Sequence, residues 1–258
     1  MQNHILIKKY LLDLPTQPRQ IELVRESLYR LEIEHRELLE KNGIDLNIIS
    51  NEIVTENGLK HLYRYPLVQS GVQDGNATIT AIGDGAKALQ LIIDKDRGLI
   101  FHFRNNRSQK IGILMPEEKY LSPVAQEEAN KYRVNTWIPF KLFRTNTEGK
   151  KEASFNEWRD TPYEIERLQI LERKLTSNII TFCKAVNLDV PFTIRCRIIS
   201  KHGEGWRMFN RRLRKRFDLT FETNIRLPEG IGIGFGSVEG YGLLTFPLNQ
   251  KPDIINSY

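Results

Sequence analysis

Glycine occupies positions 230, 232, 234, 236, 240 and 242, where the chain runs G-I-G-I-G-F-G-S-V-E-G-Y-G. Without a Cβ, glycine reaches positive φ and lets a ligand approach the main chain, so that successive N–H groups can point at phosphate oxygens. Spacing excludes two common phosphate loops. A dinucleotide fingerprint G-x-G-x-x-G begun at Gly230, Gly232 or Gly234 would end on Phe235, Ser237 or Glu239, and no G-x-x-x-x-G-K-[ST] run occurs here or at Gly83 to Lys87. Just upstream, KHGEGWRMFNRRLRKR sets Lys201, Arg207, Arg211, Arg212, Arg214, Lys215 and Arg216 against Glu204 alone. These cations could neutralise phosphates, with His202 as a further contact. Trp206 and Phe209 could stack on unpaired bases at about 1 to 3 kcal/mol each. The same residues could instead form a solvated hairpin whose charges protect a sheet edge. Proton-transfer candidates are few, since the chain has five histidines, His4, His35, His61, His102 and His202.

These residues need a scaffold. HILIKKYLLDL (His4 to Leu14) reads as a first strand closed by Pro15 and Pro18. Three and four spacing of Ile21, Val24, Leu28, Leu31 and Leu38 predicts a helix over about Gln20 to Lys41, stopped by Asn42-Gly43. KHLYRYPLVQ and NATITAIG read as strands joined at Gln73-Asp74-Gly75. A helix over Gly85 to Asp94 and a strand over Gly98 to Phe103 complete the order strand, helix, strand, strand, helix, strand, the ferredoxin-like (RRM-like) order. The second half predicts short strands near Lys110 to Met115 and Val134 to Phe140. A helix is expected from Pro162 to Val186, begun by a capping box at Thr161 to Glu164 and striped by Ile165, Leu168, Leu171, Leu175, Ile179, Phe182 and Val186. Strands are expected at Phe192 to Ser200, Phe217 to Arg226 and Tyr241 to Phe246, with Glu117 to Asn130 and Thr145 to Arg159 as linkers or loops. The expected class is α+β: two tandem ferredoxin-like domains, residues 1–105 and residues 106–258 with the glycine-rich loop.

With 258 residues and 40% apolar composition the chain can bury a sizeable core. No run approaches the roughly 20 apolar residues of a membrane span, and Met1-Gln2-Asn3-His4 lacks a secretory pattern, so the cytoplasm is the expected compartment and no membrane partner is implied. Cys183 and Cys196 are too few for a structural zinc site and read as small core residues. A net charge of +6 suits a polyanionic partner but is shared by many basic enzymes.

What the glycine segment does fit is GhGxxxxxGhG, as Gly232-Ile233-Gly234, five residues, then Gly240-Tyr241-Gly242. This resembles the C-terminal loop of the CRISPR-associated repeat RNA-processing endoribonucleases of the RAMP superfamily. FDLTFETNIRLPEGIGIG (Phe217 to Gly234) looks like the strand leading into that loop, and HLYRYPLVQ with NATITAIGDG is similar to a block in the N-terminal half of one bacterial branch.

The resemblance implies two RRM-like domains, a CRISPR repeat RNA bound as precursor and as mature guide, and cleavage by 2′-OH attack with no metal or other cofactor. It admits other CRISPR effector subunits as partners, and a chain that holds guide RNA in such a complex without cutting. The expected RNA contacts are the cations, His202, Trp206, Phe209, Gly232, Gly234, Gly236, Gly240 and Gly242. Similar enzymes project a catalytic side chain from the first helix, which here carries His35 and Tyr29, while His61 precedes the matching strand. His35 also continues the apolar stripe and reads equally as a satisfied core histidine. His61 reads equally as a solvated loop residue, and His4 and His102 as strand residues. The chain departs from the branch just upstream of that strand: Ile49-Ser50-Asn51-Glu52-Ile53 holds none of the histidines usual there.

Overall fold

The computed structural model describes residues 4–17, 20–49, 52–55, 58–61, 64–103, 108–121, 125–140, 154–209 and 212–247. The first unit runs β1 (Ile5–Pro15), α1 (Ile21–Glu34), α2 (Arg36–Lys41), β2 (Glu52–Thr55), β3 (Gly58–His61), β4 (Val68–Gln73), β5 (Asn76–Ile82), α3 (Asp84–Asp96), β6 (Leu99–His102), β7 (Ser108–Ile111) and β8 (Ile113–Leu121). An antiparallel sheet in the order β4-β5-β1-β8 forms its floor. Tyr10 and Leu12 on β1 and Ile79 and Ala81 on β5 meet Val24, Leu28 and Leu31 of α1 and Ala88, Leu89 and Ile92 of α3 in one core. Asp74 and Gly75 hold φ of 50° and 79°, the paired positive values that let a two-residue hairpin follow the strand twist.

Two local expectations are corrected. The helix expected over 20–41 breaks at His35, whose φ of −105° and ψ of 16° turn α2 away, so that Leu39 rather than Leu38 is buried. The strand expected to close the first sheet, Gly98 to Phe103, becomes β6 and pairs with β7 in a separate hairpin, while β8 takes the place beside β1. Alternation marks which face of a strand is buried and does not choose its neighbour. β8 is mostly exposed and carries little alternation of its own.

The second unit runs β9 (Ala125–Trp137), α4 (Ser154–Asp160), α5 (Glu164–Ala185), β10 (Cys196–Phe209), β11 (Arg212–Ile225) and β12 (Leu243–Thr245), with sheet order β10-β11-β9-β12. Labelled by chain order within each unit, both sheets read 2-3-1-4, so the chain is α+β with two tandem ferredoxin-like sheets. The glycine segment, with one 3-10 turn at Ser237–Glu239, occupies the connection where a ferredoxin-like unit carries its second helix.

The expected capping box does not form. Thr161 Oγ1 donates to Glu157 O at 2.6 Å, closing α4, and α5 starts from an extended Tyr163 with no side-chain cap. Ile165 is therefore exposed, and Ile170, Leu171, Leu175, Ile179, Phe182 and Cys183 form the buried stripe. Burial pushes the Cys183 thiol up to about 11. We propose that the division between units falls after Leu121 rather than at 105, because β8 belongs to the first sheet.

Candidate functional site

The glycine segment lies along β4, the edge strand of the first sheet, and is tied to the first unit at several points. Gly232 is held in both directions: Tyr65 Oη donates to its carbonyl at 2.9 Å, and its N–H donates to Gln69 Oε1 at 2.7 Å. Thr80 Oγ1 donates to Gly230 O at 3.1 Å, and Ser70 Oγ to Val238 O at 2.8 Å. Arg25 Nη1 of α1 meets Glu239 Oε1 at 2.7 Å, with both side chains largely buried. The Tyr65 ring packs edge-on against Phe182 of α5, and burial pushes its phenol far above the ordinary tyrosine range. The RYPLVQ block and the glycine block, remote in sequence, are thus two halves of one joint.

The glycines serve that joint, where packing by itself requires that they carry no side chain. A Cβ on Gly242 would lie 1.9 Å from Ile233 O; on Gly232, 2.7 Å from Tyr241 O; and on Gly234, 2.7 Å from Trp137 Nε1. On Gly236 it would meet the rings of Tyr241 and Phe209, and on Gly240 the backbone of Ser70 and Gly71. Among the described residues, the N–H groups of Gly234, Gly236, Ser237 and Val238 have no backbone acceptor.

The basic segment is one long hairpin, β10 paired with β11, and its end returns to the glycine segment. Phe209, nine-tenths buried, packs edge-on against Tyr241 with ring centroids 5.5 Å apart, and Arg207 Nε donates to Tyr241 Oη at 3.3 Å. Trp206 is 56% exposed, with Phe155 edge-on to its ring at 6.0 Å. Several expected phosphate contacts are occupied within the protein. Lys215 bonds Glu204 at 2.8 Å and lies over the Trp158, Trp206 and Phe217 rings with 12% of its side chain exposed. Lys201 bridges Glu164 and Glu204. Arg216 bonds Asp218 at 2.7 Å, and His202 Nε2 lies 2.7 Å from Thr220 Oγ1. Arg214 is half-buried. Arg211 lies outside the described residues, and Arg212 is placed only by its pairing with Phe209.

Register shows cations that the linear sequence hides. Along β11, Phe217, Leu219 and Phe221 are buried, so Arg216, Asp218, Thr220 and Glu222 point to the opposite face. Arg197 and Lys131 flank Glu222 there, and Arg133 lies beside Thr220. Lys131 bonds Glu222 at 3.3 Å and Arg133 Nε donates to Asn135 at 3.1 Å, whereas Arg197 and Arg207 are exposed. Alternation spreads these cations over three strands, so no short window of sequence collects them. Replacing Arg197 and Arg207 together by Ala is expected to lower the slope of log affinity against log salt by about 1.4, at about 0.7 per lost phosphate contact on single-stranded RNA. An unchanged slope in a titration series would remove this face from the RNA path.

Of the proton-transfer candidates, His35 is withdrawn from any substrate. Its Nδ1 lies 2.9 Å from Leu31 O and its Nε2 3.0 Å from Asp96 on α3, in a side chain 6% exposed. Both nitrogens serve the helix break, which matches the core reading of this residue. His35→Ala is expected to cost about 2 to 3 kcal/mol in urea unfolding, because it leaves Asp96 without its partner, and to leave cleavage by the folded protein unchanged. A large rate loss at full stability would return His35 to the site.

Tyr29 is half-buried on α1, one turn from Arg25 on the same face. Glu32 follows on that face and accepts the N–H of Ile49 at 2.9 Å, three residues before β2 begins. His61 ends β3, paired with Glu52, four residues before Tyr65. His102 bonds Glu34 at 3.0 Å and Ser108, and His4 is exposed at the start of β1. Among the described residues, no three His, Cys, Asp or Glu side chains are grouped to hold a metal ion, and no helix is long and apolar enough to cross a membrane.

Residues 125–246 match the family model described as the Cas6b C-terminal domain, spanning β9 through the glycine segment and β12. No curated protein matches the chain. Among solved structures, one described as Cas6b is 18% identical, with a TM-score of 0.68 over 94% of this chain and 100% of that one. A structure described as the CRISPR RNA processing endoribonuclease Cas6b is also 18% identical, with a TM-score of 0.60 over 93% of this chain and 98% of that one. Csf5, described as a CRISPR-Cas type IV Cas6 crRNA endonuclease, is 13% identical, with a TM-score of 0.50 over 95% and 100%. At these identities the structures establish a shared fold.

Proposed function

We propose that this chain, whose residues 125–246 match the family model of the Cas6b C-terminal domain, is a metal-independent endoribonuclease that binds CRISPR repeat RNA and cuts precursor transcripts into guide RNAs. The observation that carries this reading is that the matched residues build both the glycine segment and the basic hairpin, joined through Tyr241 to Arg207 and Phe209.

In the proposed reaction the ribose 2′-oxygen attacks the adjacent phosphorus and the bond to the 5′-oxygen breaks. The products are a 2′,3′-cyclic phosphate and a free 5′-hydroxyl. One group takes the 2′ proton and another gives a proton to the leaving oxygen, and neither step calls for a metal. Tyr29 and His61 are the candidates, since His35 is turned inward. Developing charge on the phosphorane is met by N–H donors and a cation, roles suited to the amides of Gly234 and Gly236 to Val238 and to Arg207. Incubating end-labelled repeat RNA with the protein in excess EDTA tests this. Cyclic-phosphate product at an undiminished rate is the expected result, and dependence on added divalent metal would overturn it.

A second reading is a guide-RNA-binding subunit without cleavage. The inward turn of His35 and the absence of histidine at 49–53 favour it. A mobility shift with the RNA left intact would establish that alternative.

A further inference from the structure

We infer that Arg25 and Glu239 form a positioning latch, setting the α1 face against the unit that holds the RNA. This rests on the proposed cleavage reaction and names residues that it does not use.

The pair joins residues 214 apart in sequence, one on α1 of the first unit and one in the 3-10 turn of the second, at 2.7 Å, with side-chain exposures of 15% and 5%. Such burial is poorly explained by stability alone. Desolvating two charges offsets most of their attraction, and apolar replacements of similar volume are often neutral or stabilising, while the registry a buried pair imposes is the better attested use. The other side-chain ties at this joint end on backbone atoms of the glycine segment and come from the Tyr65 to Thr80 stretch, whereas this one comes from α1.

Its location gives that registry a consequence. Glu239 closes the 3-10 turn, and two residues on Tyr241 contacts Arg207 and Phe209 of the basic hairpin. On the other side Arg25 is followed one turn later by Tyr29, and then by Glu32, which holds Ile49 ahead of the hairpin bearing His61. The parts suited to gripping phosphates therefore belong to the second unit, and the parts suited to moving protons belong to the first. The latch is a direct side-chain link between them, and a displacement of about 1 Å between reacting groups can cost about 100-fold in rate.

The test is the double variant Arg25→Met/Glu239→Leu, which removes both charges and leaves neither partner stranded. Repeat RNA affinity by gel shift is expected within threefold of the parent and the melting temperature within a few degrees, while single-turnover cleavage falls about 30- to 100-fold. Arg25→Lys, which keeps the charge, is expected to restore at least a third of the parent rate. It also serves as the readout should the double variant fail to fold. Cleavage by the double variant at the parent rate, or an Arg25→Lys variant as slow as Arg25→Met, would overturn the latch while leaving the proposed function standing. A parent protein that binds repeat RNA and leaves it intact overturns both.

Discussion

Tyr29→Phe is expected to slow cleavage of repeat RNA by about 100-fold or more while leaving gel-shift affinity within twofold of the parent. The substitution removes one oxygen from a half-buried side chain, so packing along α1 is kept and only the proton relay is lost. A positioned acid or base contributes about 100- to 10,000-fold, which sets the scale. His61→Ala is expected to fall in the same range. If the two act in one transition state, the double variant will be little slower than the worse single one, because groups that work as a unit lose their effect together. A Tyr29→Phe variant that cuts at the parent rate would take α1 out of the chemistry and leave His61 to be paired with another donor.

How far this arrangement could be read beforehand differs by level. The order of elements was legible because period-two and period-3.6 patterns are strong in β1, β5, α1 and α5, and the Asp74-Gly75 turn announces its own geometry. Strand neighbours were not. β6 and β8 compete for the place beside β1, and the winner is the one with the weaker apolar pattern. His35 shows a second kind of limit. A histidine at a core spacing reads as catalyst or as core until its ring partners are known, and here Leu31 O and Asp96 decide it. Arg197 on β10 and Arg133 and Lys131 on β9 flank β11 from its two sides and become neighbours only through register. The glycine motif was the most informative string in the chain, and packing of the joint is a reason for it besides backbone access for a ligand. It and RYPLVQ are packing partners in this chain, through Gly232 with Tyr65 and Gln69.

That packing makes Gly242→Ala the most disruptive single change expected in the chain. Gly242 sits at φ +67°, a Cβ would lie 1.9 Å from Ile233 O, and its carbonyl accepts from the Ile233 N–H at 2.9 Å while its own N–H donates to Asn135 O at 3.1 Å. The methyl cannot be placed without breaking the approach of the glycine segment to β9 and β12. The expected cost exceeds about 4 kcal/mol, enough to unfold the second unit of a domain of ordinary stability. Gly43→Ala isolates the conformational part, because Gly43 has φ +68° with nothing within 4 Å of its missing Cβ, and it is expected to lose only about 1 to 2 kcal/mol. Either origin of the glycine motif forecasts lost RNA binding in the Gly242 variant, so binding alone cannot separate them. Unfolding measured without RNA can: a Gly242→Ala protein as stable as Gly43→Ala that no longer binds repeat RNA would return the glycines to the ligand, whereas a collapse in stability before any RNA is added assigns them to the joint.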